Sequence, residues 1–263
     1  MRFLLLLLLA VGCTSRPERA TVKRVVLDLP PSMDANDEAR EKLRADIYAQ
    51  LEGDDLTRLT EDARSATHLV RVEVIPHLQV EGKIEESGVR VQLRPVRDGT
   101  VIESLGYGNR IKDNWALEAF QDAWSIVTTR RMLQVARESD VIAALDSSDV
   151  RVRAAAIGLI GDRKLASGAA PLITMLSEEE NELLVLRAVG ALIALGDESA
   201  IDPLIALAKN KSPAFVLQVV FAVGAIGGRT AEGYLVTLAG GHPVEAVRQG
   251  AKDALDELSR APK

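Results

Sequence analysis

The spacing between apolar residues changes along the chain, and these changes divide the chain into segments. An apolar run from Phe3 to Val11 comes first and follows Arg2. Residues 21–137 mix the two-residue alternation of half-buried strands with helical spacing. Residues 138–260 follow helical spacing throughout. We therefore expect an α+β protein, in which a small α/β sandwich domain at 21–137 precedes an all-α repeat solenoid at 138–260.

Alternating side chains predict the strands of the first domain. Strands with one apolar face are expected at residues 23–29, 68–76, 89–93 and 101–105. The pair Asp98-Gly99 predicts a hairpin turn before the last of them. The polar stretch 81–88 predicts a loop between the second and third strands.

Four-residue spacing predicts helices in the same domain. One apolar stripe is formed by Ala39, Leu43, Ile47 and Leu51. A brief helix is expected at 61–66 and a long one at 115–136. Trp115, Phe120 and Trp124 on the long helix could form an exposed docking stripe, but their spacing favours core positions. The order of elements is strand, helix, three strands and helix.

The second segment repeats itself about every 31 to 35 residues. An alanine recurs in four successive blocks, at Ala156, Ala191, Ala222 and Ala254. The glycines Gly161, Gly196 and Gly227 each predict a helix end in the left-handed conformation. Second helices follow near residues 171, 203 and 234, and residues 141–145 predict the second helix of a partial repeat. The last helix carries outward polar residues, as a terminal cap requires.

Several pieces of these blocks resemble HEAT-like repeats of the short type also found in bilin (PBS) lyases. They are Val152-Arg153-Ala154-Ala155-Ala156, Ile160-Gly161-Asp162, Leu195-Gly196-Asp197 and Val247-Arg248-Gln249-Gly250-Ala251. The resemblance implies stacked helix pairs that offer an extended protein-binding surface. We expect the contact surface on the side lined by the second helices, near Thr174, Lys209 and Thr237.

The first domain resembles the N-terminal domain of TolB-like periplasmic proteins and related domains of flagellar and curli assembly lipoproteins. The similarity lies in Ala66-Thr67-His68-Leu69-Val70-Arg71-Val72-Glu73-Val74, in residues 89–93, and in Arg97-Asp98-Gly99-Thr100-Val101-Ile102. This resemblance implies envelope assembly and protein contacts rather than catalysis.

The N-terminal run ends in Leu9-Ala10-Val11-Gly12-Cys13, which resembles the lipobox of bacterial lipoproteins. A basic start and a short apolar run are typical of a secretory signal, here residues 1–12. The resemblance implies cleavage before Cys13, lipidation of Cys13 and a tether at 13–20. Thr14 and Ser15, in place of an aspartate, imply the outer membrane. The alternative is an ordinary signal peptide with an incidental cysteine.

Composition limits the choice of partners. The chain has 263 residues, of which 47% are hydrophobic and 27% charged, and its formal net charge is −6. This acidic balance argues against a nucleic-acid partner, which requires a basic surface. A single cysteine cannot form an internal disulfide, so the folded domains must be stabilised by packing alone.

Candidate chemistry is sparse, and we expect no catalytic, cofactor-binding or metal-binding residues. His68, His77 and His242 are far apart in sequence and lack metal-ligand spacing, which favours structural roles. No nucleophile turn or phosphate loop occurs. The run Glu178-Glu179-Glu180 could bind a cation, but a solvated helix start is the favoured interpretation.

These features predict a lipid-anchored envelope protein that is not an enzyme and needs no cofactor. Its partners would be an unidentified envelope protein, bound by the repeats, and the membrane, reached through lipid on Cys13 at the periplasmic face of the outer membrane. Two alternatives remain: a subunit of a secretion or flagellar-type envelope assembly, and a lyase-like enzyme related to bilin lyases.

Overall fold

The computed structural model describes residues 16–30, 36–80, 83–108, 112–209 and 211–260, with side chains except at 76–80 and 83–86. The chain divides into two compact units. We call Met1–Ala136 the sheet unit and Arg137–Lys263 the repeat unit.

One five-stranded sheet forms the centre of the sheet unit, with strand order β2-β1-β3-β4-β5. Its strands are β1 Ala20–Asp28, β2 Thr57–Leu59, β3 His68–Val80, β4 Lys83–Pro95 and β5 Ile102–Gly108. β1 runs parallel to both β2 and β3, whereas β3–β4 and β4–β5 are antiparallel. Two helices accompany the sheet, α1 Asp37–Glu52 and α2 Trp115–Val135. The α+β fold predicted for this segment is confirmed.

Both helices cover one face of the sheet, where the alternating valines predicted to face inward are buried. From the helices, Leu43, Ile47 and Leu51 of α1 and Phe120 and Trp124 of α2 complete this core. The Phe120 and Trp124 rings stack with centroids 6.0 Å apart. The core interpretation of this aromatic pair is therefore confirmed, and an exposed docking stripe is excluded for it.

β1 begins at Ala20, earlier than predicted, because a bulge interrupts the alternation of buried and exposed side chains near its start. Its register against β3 shifts between Val22 and Val25. Val22 and Val25 are both buried although they are three residues apart, which simple alternation does not allow. Leu27 and Leu29 then pack against the core as expected.

Two local predictions are wrong. Residues 61–66 form turns instead of a helix, because Thr60 and Asp62 accept hydrogen bonds from the Asp62 and Arg64 amides at 3.2 and 2.9 Å. Such side-chain bonds compete with helical ones. The loop predicted at 81–88 is also too long, since residues 83–88 pair with β3 and belong to β4. Residues 81 and 82 lie outside the described residues.

The long helix α2 crosses β5 in backbone contact. A Cβ atom at Gly106 would lie 1.9 Å from the Ala119 carbonyl oxygen, so only glycine fits. The same helix covers the outer edge of β5: the Tyr107 amide donates to Asp122 Oδ2 at 3.3 Å, and Arg130 Nη1 donates to the Glu103 carbonyl at 2.6 Å. These contacts occupy edge groups that would otherwise be open to another strand.

The opposite face of the sheet carries charged side chains that pair with one another across the strands. Arg71 Nε lies 2.6 Å from Asp28 Oδ2, and Arg90 Nη1 lies 2.5 Å from Glu73 Oε2. Glu103 joins the row through Arg90 at 3.8 Å. We call these five residues the charged sheet face. It is the solvated side that an antiparallel sheet commonly presents.

In the described part of the repeat unit the regular elements are helices, in agreement with the predicted second domain type. They are α3 Glu138–Ala143, α4 Val150–Asp162, α5 Ala169–Glu178, α6 Glu182–Leu195, α7 Ile201–Ala208, α8 Pro213–Ile226, α9 Arg229–Gly241 and α10 Glu245–Arg260. The helices α4, α6, α8 and α10 are the first helices of successive repeats, and α3, α5, α7 and α9 are second helices. First helices pack against one another, α4 against α6 and α8 against α10.

The predicted alanine column lies at these helix contacts, and all four alanines are buried. Gly196 and Gly227 end α6 and α8 with φ of 67° and 80°. Gly196 has the predicted left-handed helical conformation, whereas Gly227, with ψ of −162°, does not. Gly161 does not end its helix: it lies within α4, where a Cβ atom would be 3.2 Å from Ala191 Cα. Close approach of α4 and α6, rather than a left-handed turn, explains this glycine. The left-handed residue after α4 is Lys164, with φ of 50°.

Candidate functional site

Cys13, the predicted lipidation site, lies outside the described residues together with the signal segment. The chain is held to the sheet unit from Glu18 onward. The buried guanidinium of Arg131 donates to the carbonyls of Glu18 and Leu56, the latter at 2.9 Å, and Arg19 Nε donates to the Asp55 carbonyl at 2.9 Å. Burial lowers the pKa of Arg131, and the nearby Asp54 carboxylate partly opposes this effect. The part of the predicted tether beyond residue 17 is therefore attached to the domain.

The two histidines whose side chains are described, His68 and His242, belong to different units. His68 Nδ1 lies 2.8 Å from Thr67 Oγ1, and burial, followed by the charge of Arg131, lowers the pKa of His68. His242 Nδ1 accepts from the Val244 amide at 3.2 Å, ahead of α10. The side chain of His77 lies outside the described residues. The two described histidines have local structural contacts in different units.

Within the described ranges, no three His, Cys, Asp or Glu side chains are placed to hold a metal ion. The helices of the same ranges lack the length and apolarity needed to span a bilayer. Of the acidic run at 178–180, Glu178 and Glu180 are exposed, whereas Glu179 pairs with Arg153. The next helix starts at Glu182, capped by Asn181, so the run precedes the helix rather than opening it.

A concave surface of the repeat unit follows its second helices. A cavity of about 870 Å³ lies between the C-terminal halves of α5 and α7 and the first turns of α6 and α8. A second cavity, of about 350 Å³, lies between α3 and α5. Thr174 and Glu179 line both cavities, which therefore adjoin. We call the two together the groove.

The floor of the groove is apolar because each second helix turns part of its hydrophobic stripe toward it. Ile173 and Leu176 contribute from α5, Pro203 and Leu207 from α7, and Phe215 from the start of α8. Leu176 and Phe215 are buried, while the others remain partly accessible. An apolar floor with polar rims is typical of binding sites for protein segments.

Glu179 lines both cavities, and its ion pair with Arg153, a residue of the same repeat, forms what we call the wall of the groove. Arg153 Nε on α4 lies 3.0 Å from Glu179 Oε2, and their side chains are 19% and 11% exposed. Arg153 also donates to the Ser147 carbonyl at 2.9 Å, and Glu179 accepts from the Asn181 amide at 2.9 Å. Burial alone would raise the pKa of Glu179, but the Asn181 amide and Arg153 together lower it. The wall is therefore a fixed structural element.

Loops that join one repeat to the next bring charges to the rim of the larger cavity. Glu180 and Glu182 lie on one side, which we call the acidic side, and Lys209 and Lys211 lie on the other, which we call the basic side. Asn181 fixes the acidic loop by accepting from the Leu183 and Leu184 amides. Ser212 caps α8 in the same way, next to Lys211.

Two of the three positions expected at the contact surface line the groove, namely Thr174 and Lys209. Thr237 does not line it: it is exposed on α9, where its hydroxyl donates to the Gly233 carbonyl at 2.9 Å. Sequence reasoning did not single out Lys211 or the Arg153–Glu179 pair. Lys211 lies in a loop between repeats, directly before the helix-capping pair Ser212-Pro213. This position could have indicated that Lys211 lies at the groove.

The comparisons with known proteins agree with this description of the repeat unit. Residues 138–220 match the family model of HEAT repeats. The match covers α3 to α7 and half of α8, and so includes the residues that line the groove. No curated protein matches the chain. The HEAT-like repeats predicted from the sequence are confirmed for the matched residues.

Proposed function

We propose that this protein is a lipid-anchored scaffold of the bacterial cell envelope that binds a partner protein in the groove of its HEAT repeats. The observation that carries the proposal is the groove itself, with its apolar floor, its polar rims and its place on the second helices. HEAT repeats are consistent with a protein-binding scaffold. The proposed role is binding without catalysis and without a cofactor or nucleic acid.

Site-specific photo-crosslinking in intact envelopes tests the scaffold role. A photoreactive amino acid at Ala206, which lines the groove and is exposed, should give a covalent adduct with a discrete envelope protein. The matched control is Ala225, an exposed alanine on α8 outside the groove. No adduct at Ala206, or equal adducts from both positions, would remove the basis for the scaffold.

The lipid anchor has a separate test at Cys13. The resemblance of residues 9–13 to a lipobox supports attachment at the periplasmic face of the outer membrane. Cys13→Ser should move the protein from the membrane fraction to the soluble periplasmic fraction, while circular dichroism shows that the helices remain folded. Membrane binding as tight as that of the wild type would contradict the anchor and leave the groove unaffected.

A further inference from the structure

The two sides of the rim of the larger cavity carry opposite charges. The acidic side consists of Glu180 in the loop before α6 and of Glu182, the first residue of α6, and the loop before α8 provides the basic side, Lys209 and Lys211. All four residues are exposed. The apolar residues of α5 and α7 line the same cavity. A segment that fills the groove therefore meets charges of both signs and an apolar floor.

These rim charges are not compensated by opposite charges within the part of the chain that the structure describes. Neither the two glutamates nor the two lysines form an ion pair there. Lys211 Nζ lies 5.6 Å from the centroid of the Phe215 ring, which holds the ammonium beside the floor. The half-buried neighbour Glu179 is already paired with Arg153, so its charge is compensated inside the wall.

Uncompensated charges beside an apolar surface favour a partner of complementary charge. Like charges placed opposite one another weaken binding, and opposite charges orient the partner. Salt screens a charge on an open surface. Charges at the rim of a cavity lose water when the cavity is filled, and their effect on binding then increases.

We propose that the groove binds a charge-polarised protein segment, with apolar side chains on the floor, a basic residue toward Glu180 and Glu182, and an acidic residue toward Lys209 and Lys211. This inference rests on the proposed scaffold function and specifies its partner. It fixes the direction in which the segment crosses the groove. A segment that carries one sign of charge throughout meets repulsion on one side.

Charge reversal, read out by the photo-crosslink at Ala206, tests the inference in the full-length protein in intact envelopes. Lys209→Glu combined with Lys211→Glu should lower the adduct yield about tenfold, since two attractive contacts become repulsive. Glu180→Lys combined with Glu182→Lys should lower it by a similar factor. Circular dichroism of each purified variant verifies the fold.

Matched controls change the net charge by the same amount outside the groove. Lys252→Glu with Arg260→Glu on α10, and Glu232→Lys on α9 with Glu257→Lys on α10, alter exposed residues and should leave the adduct yield unchanged. Loss of the adduct in these controls would indicate a general charge effect and overturn the inference.

The remaining outcomes separate the two proposals. If the wild type gives no adduct at Ala206, the scaffold function fails and the inference fails with it. If the adduct forms but survives both reversals in the groove, only the charge-polarised segment is wrong. Loss on reversal of one side alone would overturn the two-sided assignment.

Discussion

The sheet unit and the repeat unit use their surface charges in different ways. On the charged sheet face, Arg71 pairs with Asp28, and Arg90 pairs with Glu73 across neighbouring strands. At the rim of the groove, the described side chains of the acidic and basic sides form no such pairs. One surface pairs its charges internally, and the other leaves them exposed without ion pairs among the described residues.

This difference indicates which surface is suited to binding. A partner on the charged sheet face would have to replace ion pairs that already exist, and exposed pairs give little free energy in return. A partner in the groove can supply the missing opposite charges and cover apolar side chains in the same contact. The contrast therefore supports the proposal that recognition belongs to the repeat unit.

The two units also differ in how they are held together. The sheet unit depends on pairing and packing between residues distant in the chain, whereas each repeat packs mainly on its neighbours. Both tryptophans, Trp115 and Trp124, belong to α2 of the sheet unit. Tryptophan fluorescence therefore follows the sheet unit, while far-UV circular dichroism is dominated by the helices of the repeats.

The largest expected change in stability comes from adding a methyl group at Gly106 of the sheet unit, and the same addition at Gly158 of the repeat unit serves for comparison. Gly106→Ala should destabilise the sheet unit by about 3 kcal/mol, because the new Cβ would lie 1.9 Å from a backbone carbonyl that cannot rotate away. Gly158→Ala, on the open surface of α4, should stabilise the repeats by about 0.5–1 kcal/mol. Urea unfolding followed by the two signals measures both. An unchanged fluorescence midpoint in Gly106→Ala would contradict the close packing of α2 on β5.

A smaller loss of stability is expected when the buried charge of Arg131 in the sheet unit is removed. Arg131→Met keeps the apolar stem but removes the donor of the Glu18 carbonyl and one of the two donors of the Leu56 carbonyl, which still accepts from the Ala20 amide; the expected cost is about 1–3 kcal/mol. The fluorescence midpoint in urea should fall accordingly. Arg187→Met, at an exposed position on α6, is the control and should change stability by less than about 0.5 kcal/mol. Equal effects of the two substitutions would show that Arg131 does not hold the start of β1.

The sequence was sufficient to predict the type and order of most elements. Alternating valines indicated β3 and β4 because the buried face of a sheet repeats every two residues, and the alanine column indicated helix contacts because side chains must be small there. Asp98-Gly99 predicted the β4–β5 hairpin. These signals are local, and local spacing determines which side chains share a face.

What the sequence did not predict depends on contacts between distant residues. The bulge in β1 shifted an alternation that is regular on either side of Val22 and Val25. Gly161 was assigned to a helix end, whereas its small size is required by Ala191 in another repeat. The groove was expected near Thr174 and Lys209, but its charge separation arises only when the two loops are placed side by side.

A further prediction concerns the wall of the groove and acid pH. Glu179→Gln should destabilise the repeats by about 1 kcal/mol at neutral pH, since the carboxylate loses its charge-assisted bond to Arg153. Because the pKa of Glu179 is lowered in the folded protein, its contribution is complete above the ordinary value of 4.5 and is lost as the pH falls through the lowered pKa. Urea midpoints by circular dichroism should therefore converge below pH 4.5. A difference that persists in acid would show that the charge of Glu179 is not responsible.

The smallest effect is expected on the charged sheet face, and it bears most directly on the contrast between the two surfaces. Arg90→Ala removes the contacts to Glu73 and Glu103, yet all three side chains are more than a third exposed, at 38%, 43% and 48%. Water replaces such contacts at little cost, so stability should change by less than about 0.5 kcal/mol. The adduct at Ala206 should form in the same yield as in the wild type. A reduced yield would show that the partner also contacts the sheet unit, and recognition could then no longer be assigned to the repeats alone.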